Sequence, residues 1–147
     1  MPIRNKIVLI TNIIRGSKYS IVSIISFGIE EGVLAAVLYS VGLGYIILAN
    51  IAAIFISVAF SFFMNEWWVV KNEGYHGMGM AGLIVRMLKF QAIYAFGSAV
   101  GVITQLIIYH FSGINPVIAN IGGAIIAYPI NYVFSLLIVW KIRIWKE

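Results

Sequence analysis

The run YSIVSIISFGIEEGVLAAVLYSV, residues 19–41, decides how the chain is read. It is long enough to cross the apolar interior of a bilayer, which takes about 20 predominantly apolar residues as a helix. Yet two adjacent carboxylates, Glu30 and Glu31, stand near its centre. Three further runs have the same length and character: residues 45–64, 90–111 and 116–139. None alternates with the period of two that a barrel strand needs. The sequence therefore predicts an all-α polytopic membrane protein with four transmembrane helices.

Composition agrees. Of 147 residues, 62% are hydrophobic and 10% charged, too few charges to coat a soluble domain of this length. Cysteine is absent, which excludes disulfides and thiolate metal sites and leaves the redox compartment undefined. The early apolar run KIVLITNII, residues 6–14, is short and has no small-residue cleavage site after it, so no cleaved signal is expected.

The basic residues set the orientation. Arg4, Lys6, Arg15 and Lys18 precede the first span, Lys71, Arg86 and Lys89 lie between the second and third, and Lys141, Arg143 and Lys146 follow the fourth. The two outer connections, GLGY and SGINP, have none. All of these cations fall on one side, which the positive-inside rule makes the cytoplasm. The expectation is a multi-pass protein of the plasma membrane with both termini cytoplasmic. The net charge of +5 then reflects topology and attraction to anionic lipid headgroups, and no nucleic-acid partner is expected.

Three segments follow. Residues 1–17, with Ile3, Ile7, Ile10 and Ile14 at helical spacing beside Arg4, Thr11 and Arg15, suit a short amphipathic helix lying in the interface. Residues 18–141 form the four-helix domain, and residues 142–147 a basic tail. The middle connection opens as a glycine-rich loop holding His76, and its part from Leu83 to Lys89 belongs to a helix entering the third span. Neither His76 nor His110 has a second ligand nearby, so neither a metal nor a cofactor is expected.

The two halves resemble each other. A shift of 70 residues lays LANI (residues 48–51) on IANI (residues 118–121), and a shift of 71 lays Lys18 on Lys89. In the second span Asn50, Ala53, Ser57, Ser61 and Asn65 step by three or four along one helix face. Their counterparts at 70 residues are Asn120, Gly123, Ala127, Asn131 and Ser135, an equally small and polar stripe. Both halves begin in the cytoplasm, so the repeat is parallel, two helices to each half. Amide side chains facing hydrocarbon leave donors and acceptors unpaired, so the stripes should face each other or a wet cavity. Packing alone also explains each stripe taken singly, because small residues let helices close up and amides bond across them. GSAVG, residues 97–101, reads as close packing, and Pro129 as a kink.

Glu30 lies twelve residues past Lys18, about 18 Å along a helix, and hence near the bilayer midplane. Ser26, Ser23 and Tyr19 share its face; Glu31 is turned about 100° away, with Phe27, Ala35 and Leu38. An ionised acid at that depth costs about 2.5–3.5 kcal/mol on insertion scales. Glu30 is therefore either protonated or partnered, for example by an amide of the second or fourth span. The predicted intramembrane polar path comprises Glu30, Ser23, Ser26, Asn50, Ser57, Ser61, Asn65, Asn120 and Asn131, with Glu31 the less certain acid. The two acids diverge, and no nucleophile–base pair or metal spacing appears, so no enzyme is expected.

Taken together, KYSIVSIISFGIE (residues 18–30), FSFFMNEWWVV (60–70), KFQAIYAFGSAVG (89–101) and NYVFSLLIVW (131–140) resemble the GtrA-like family of four-span membrane proteins. Glu30 falls at that family's acidic position. Glu66 stands where the family commonly has arginine, Ser23 where it has glycine, and Val70 where it has phenylalanine. The resemblance implies flippase-like translocation of a polyprenyl-phosphate-linked sugar for cell-surface polysaccharide or glycoconjugate synthesis. Lys18, Lys71, Arg86, Lys89 and Lys141 would collect the anionic headgroup, and Trp67, Trp68, Trp140 and Trp145 would seat the cytoplasmic edge. Membrane lipids are implied partners, and a homo-oligomer would help four helices enclose a path. Two alternatives stand beside this reading: a membrane anchor or lipid-presenting subunit of a polyprenyl-phosphate glycosyltransferase, and a proton-coupled exporter of the small multidrug resistance type.

Overall fold

The computed structural model describes residues 3–72 and 79–142. His76, Arg143, Trp145 and Lys146, and the side chains of Ile3, Arg4, Lys6, Ile7 and Asn120, lie outside the described residues. Among the described residues there are no strands, and four helices are long and apolar enough to cross a membrane.

Helix α1 runs unbroken over Ile3–Val41. Its 39 residues extend about 58 Å, nearly twice the apolar thickness of a bilayer. The helix expected before the first span is thus present but continuous with it, because Gly16 and Ser17 sit within the helix without breaking it. Gly42 then ends α1 at φ 86°, its N–H donating to the Leu38 carbonyl over 2.9 Å. A side chain would crowd the backbone at that positive φ, and glycine has none. After a short 3-10 turn (Leu43–Tyr45), α2 spans Ile46–Met64.

The second half repeats the plan. Helix α3 spans Gly79–Ser112 and stops at Gly113, φ 61°, whose N–H donates to the Tyr109 carbonyl over 3.0 Å. Helix α4 spans Pro116–Phe134 and opens on a proline, whose missing N–H the first helical turn does not need. Gly42 and Gly113 are 71 residues apart, whereas Ile46 and Pro116 are 70 apart. The outer turn of the second half is one residue shorter, which is why the sequence repeats at both offsets.

Each second helix ends in a π-turn, Asn65–Val69 in the first half and Ser135–Val139 in the second. Val70 N–H donates to the Asn65 carbonyl (2.9 Å) and Trp140 N–H to the Ser135 carbonyl (3.2 Å), both five residues back. The wider winding turns two consecutive residues inward in each half: Asn65 with Glu66, and Ser135 with Leu136. Beyond the second π-turn Lys141 takes a left-handed conformation (φ 55°), and Ile142 N–H donates to the Leu136 carbonyl over 2.8 Å.

The chain divides into two compact units, one made chiefly of α1 and α2, the other of α3 and α4. Tyr19, Val22, Ala49, Ala53, Phe62 and Val70 are the most deeply buried apolar side chains of the first hairpin. In the second they are Phe90, Ala119, Leu136 and Trp140. Trp140, expected at the headgroup edge, is instead 1% exposed, its ring centroid 5.5 Å from that of Phe90. The π-turn rotates it inward; Trp67 and Trp68 remain exposed. Outward faces carry Ile24, Phe27, Leu106 and Ile125, the surface a helix offers to acyl chains.

Candidate functional site: the polar seams of the two hairpins

In the first hairpin the inner face of α1 runs Tyr19, Val22, Ser26, Glu30, steps of three and four that keep one side of a helix. The first three are buried and Glu30 is half-buried. Across the seam, α2 presents Ala53, Ser57 and Ser61, and the π-turn that follows it presents Asn65, all buried. The Ser57 hydroxyl lies 3.0 Å from Glu30 Oε2 and 3.1 Å from the Ile54 carbonyl. It has one proton, so it donates to one acceptor at a time. The hydrogen-bond partner of Glu30 is therefore a serine of α2, a hydroxyl where an amide was one example of the polar partner expected.

Asn65 is occupied within its own helix. Its Nδ2 donates to the Ser61 carbonyl (2.8 Å) and to Ser61 Oγ (3.3 Å), while Oδ1, buried, has no partner. Ser23 donates back to the Tyr19 carbonyl at 3.0 Å, and Ser26 Oγ is buried without a partner. Asn50 is half-buried near the outer end of α2. Glu31 is exposed, on a different face from Glu30.

The second hairpin replaces polar contact with close approach. The Asn131 side chain fills the space a side chain on Gly97 would need. A methyl group at Gly101 would lie 3.3 Å from Ala127 Cβ, and one at Gly123 would meet the Gly101 carbonyl oxygen. By the 71- and 70-residue offsets, Glu30 corresponds to Gly101 and Ser57 to Ala127. The acid–hydroxyl pair of one half is thus a glycine–alanine contact in the other. Asn131 Oδ1 and Ser135 Oγ are buried and without a partner. Among the described residues, Ala53, Ser57, Ser61 and Asn65 in one hairpin and Gly123, Ala127, Asn131 and Ser135 in the other are buried along the seam of their own half. The nearest neighbour of each stripe is the first helix of the same half.

The cations gather at the opposite end of each hairpin from the outer turns. Lys18 Nζ stands 5.7 Å from the centroid of the Trp68 ring, a cation–π distance. Lys71, Lys89 and Lys141 are exposed, and Arg86 is buried. Sequence reasoning passed over Arg15, which is 5% exposed and donates from Nη1 to Asn12 Oδ1 at 2.8 Å. The signal was available: the same 71-residue offset that pairs Lys18 with Lys89 pairs Arg15 with Arg86. What the seams offer chemically is the Glu30 carboxyl with a hydroxyl, a second buried carboxyl, Glu66, beside amide and hydroxyl oxygens nearer the basic end, and cations beyond them.

Comparison with known proteins adds a lineage to this geometry. The family model described as "GtrA/DPMS, transmembrane domain" matches residues 18–140. A dolichol-phosphate mannosyltransferase of Pyrococcus furiosus is 29% identical over 123 residues, 84% of this chain. The match covers 33% of that relative, so the chain spans about a third of its length.

Proposed function

The chain belongs to the GtrA/DPMS transmembrane-domain family, and from that premise we propose that it moves polyprenyl-phosphate-linked sugar across the plasma membrane for cell-surface glycoconjugate synthesis. It is a multi-pass membrane protein. The observation that carries the reading is the half-buried Glu30 carboxyl, hydrogen-bonded to Ser57 at mid-span. Acids inside the bilayer mark substrate or proton pathways when they do not serve packing alone. The carrier lipid keeps its tails in the acyl region, and only its anionic headgroup meets a low-dielectric barrier. Lys18, Lys71, Arg86, Lys89 and Lys141 draw the headgroup to the cytoplasmic edge. Glu30, Ser57, Asn131 and the neighbouring seam residues then hydrogen-bond sugar hydroxyls as it passes. The name of the relative, a dolichol-phosphate mannosyltransferase, supports the substrate class. Both termini lie in the cytoplasm, and the chain itself performs no catalysis.

The test is transbilayer movement of a labelled polyprenyl-phosphate sugar in proteoliposomes. Glu30→Gln and Asn131→Ala are expected to slow it at least tenfold; unchanged rates in both would remove the path. A second reading has its own support. The match spans a third of a chain named as a transferase, which fits a membrane module that anchors such an enzyme or presents lipid to it. That reading expects no flux from the isolated protein, and loss of glycosyltransferase activity or localisation when the chain is deleted.

A further inference from the structure

Two oxygens among the described residues of the first seam are buried without a hydrogen-bond partner: Ser26 Oγ and Asn65 Oδ1. Their residues are 7% and 0% exposed. A buried oxygen left unbonded is costly, and ordered water is what such groups ordinarily bind. Both lie on the same side of Glu30. Ser26 comes four residues before it, about 6 Å along α1, and Asn65 comes eight residues after Ser57, about 12 Å along the second helix. Between them Ser61 Oγ accepts from the Asn65 amide at 3.3 Å. Towards the basic end, the seam therefore carries oxygens at successive levels. Towards the outer turn it is apolar: Val33, Leu34, Val37 and Leu38 are half-buried on α1, and Ala49 and Ala53 are buried on α2. The half-buried Asn50 is the exception there.

Glu30 itself has a neighbour suited to both of its protonation states. Ser57 Oγ stands 3.0 Å from Oε2 and 3.1 Å from the Ile54 carbonyl oxygen. When the carboxyl is ionised, the serine proton goes to Oε2. When the carboxyl holds a proton, its own O–H donates to Ser57 Oγ, and the serine proton turns to the Ile54 carbonyl. Either state closes a hydrogen bond between the two side chains. The second hairpin has no such device: Ser26, Glu30 and Ser57 correspond there to Gly97, Gly101 and Ala127.

We infer that Glu30 is a proton-binding site, loaded from the basic end of the first hairpin through water held along Ser26, Ser61 and Asn65. The proton comes from water on that side, bonds to a carboxylate oxygen of Glu30 and returns by the same route, so no other reactant is needed. No second acid or base of the same unit shares the site. Helix α2 contains no titratable side chain. Glu31 and Tyr39 are exposed on α1, and Tyr45 lies in the outer turn. Glu66, Tyr19, Lys18 and Arg15 lie towards the basic end, none nearer than about 13 Å along the helix axes. The site shares Glu30 with the sugar path proposed above, yet its test needs no lipid substrate, so either can fail without the other.

The test is infrared difference spectroscopy of the carboxyl C=O band in oriented proteoliposomes. Glu31→Gln leaves one acid in the middle of the first span, and the further change Glu30→Gln identifies its band by loss. In Glu31→Gln the band is expected to appear and vanish as the pH is changed across the range in which the protein stays folded. It should follow the pH imposed on the side of the basic ends and ignore the other side on the same timescale. A band that never changes, or that follows the opposite side, overturns the inference. The route is tested by Ser61→Ala and by Asn65→Leu, which keeps the size of the side chain without its oxygen. Each is expected to slow proton uptake after a pH jump at least about tenfold while leaving the final band intensity in place. Uptake unchanged in both variants likewise overturns it.

Discussion

Gly97 and Asn131 show how a single missing side chain shapes the second seam. The Asn131 side chain, on a residue 9% exposed, occupies the volume next to the Gly97 backbone. Gly97→Ala is expected to destabilise the protein by about 1–3 kcal/mol through overpacking. Asn131→Ala in the same background should recover part of that loss, because it vacates the contested space. Thermal unfolding in detergent of both single variants and the double variant closes the cycle, and simple additivity would contradict the contact. At this scale the sequence was informative about direction and poor about partners. Helical arithmetic turns Glu31 about 100° from Glu30, and Glu30 is half-buried where Glu31 is exposed. That Ser57 meets Glu30, or Asn131 meets Gly97, depends on the axial register of two helices, which no spacing within one helix encodes.

Among elements, the α3–α4 seam is set by backbone proximity. A methyl on Gly123 would run into the Gly101 carbonyl oxygen, which cannot move without the helix. One on Gly122 would come within 2.6 Å of Ile108 Cδ1, the end of a flexible side chain. Gly123→Ala should therefore lower stability by about 1–3 kcal/mol and Gly122→Ala by clearly less, read from denaturation midpoints in one detergent. A reversed order would show that the helices are not in this contact. The ends of α1 and α3 were legible, since glycine follows each apolar run. The π-turns were not, because neither NEWWV nor SLLIV contains glycine or proline to mark a change of winding. That blind spot is why the sequence alone does not show that Trp140 packs against Phe90 in the core.

For the whole molecule, four apolar runs and one-sided charge were enough to fix the number of spans and the pairing into halves. The same information says nothing of which polar faces are sealed within a half. Each half forms its own compact unit. Residues 1–76 and 77–147, expressed as separate chains, are accordingly expected to insert as two independent hairpins, each with its basic ends towards the cytoplasm. Protease accessibility of tags at the four ends checks this. A tag on the outer face would show that one half needs the other to orient.

The two π-turns reach further than their local winding. They fall 70 residues apart, at the same place in two hairpins that share almost no residues there. The same winding at the same position with different side chains places its cause in the shared hairpin plan and not in any one residue of the turn.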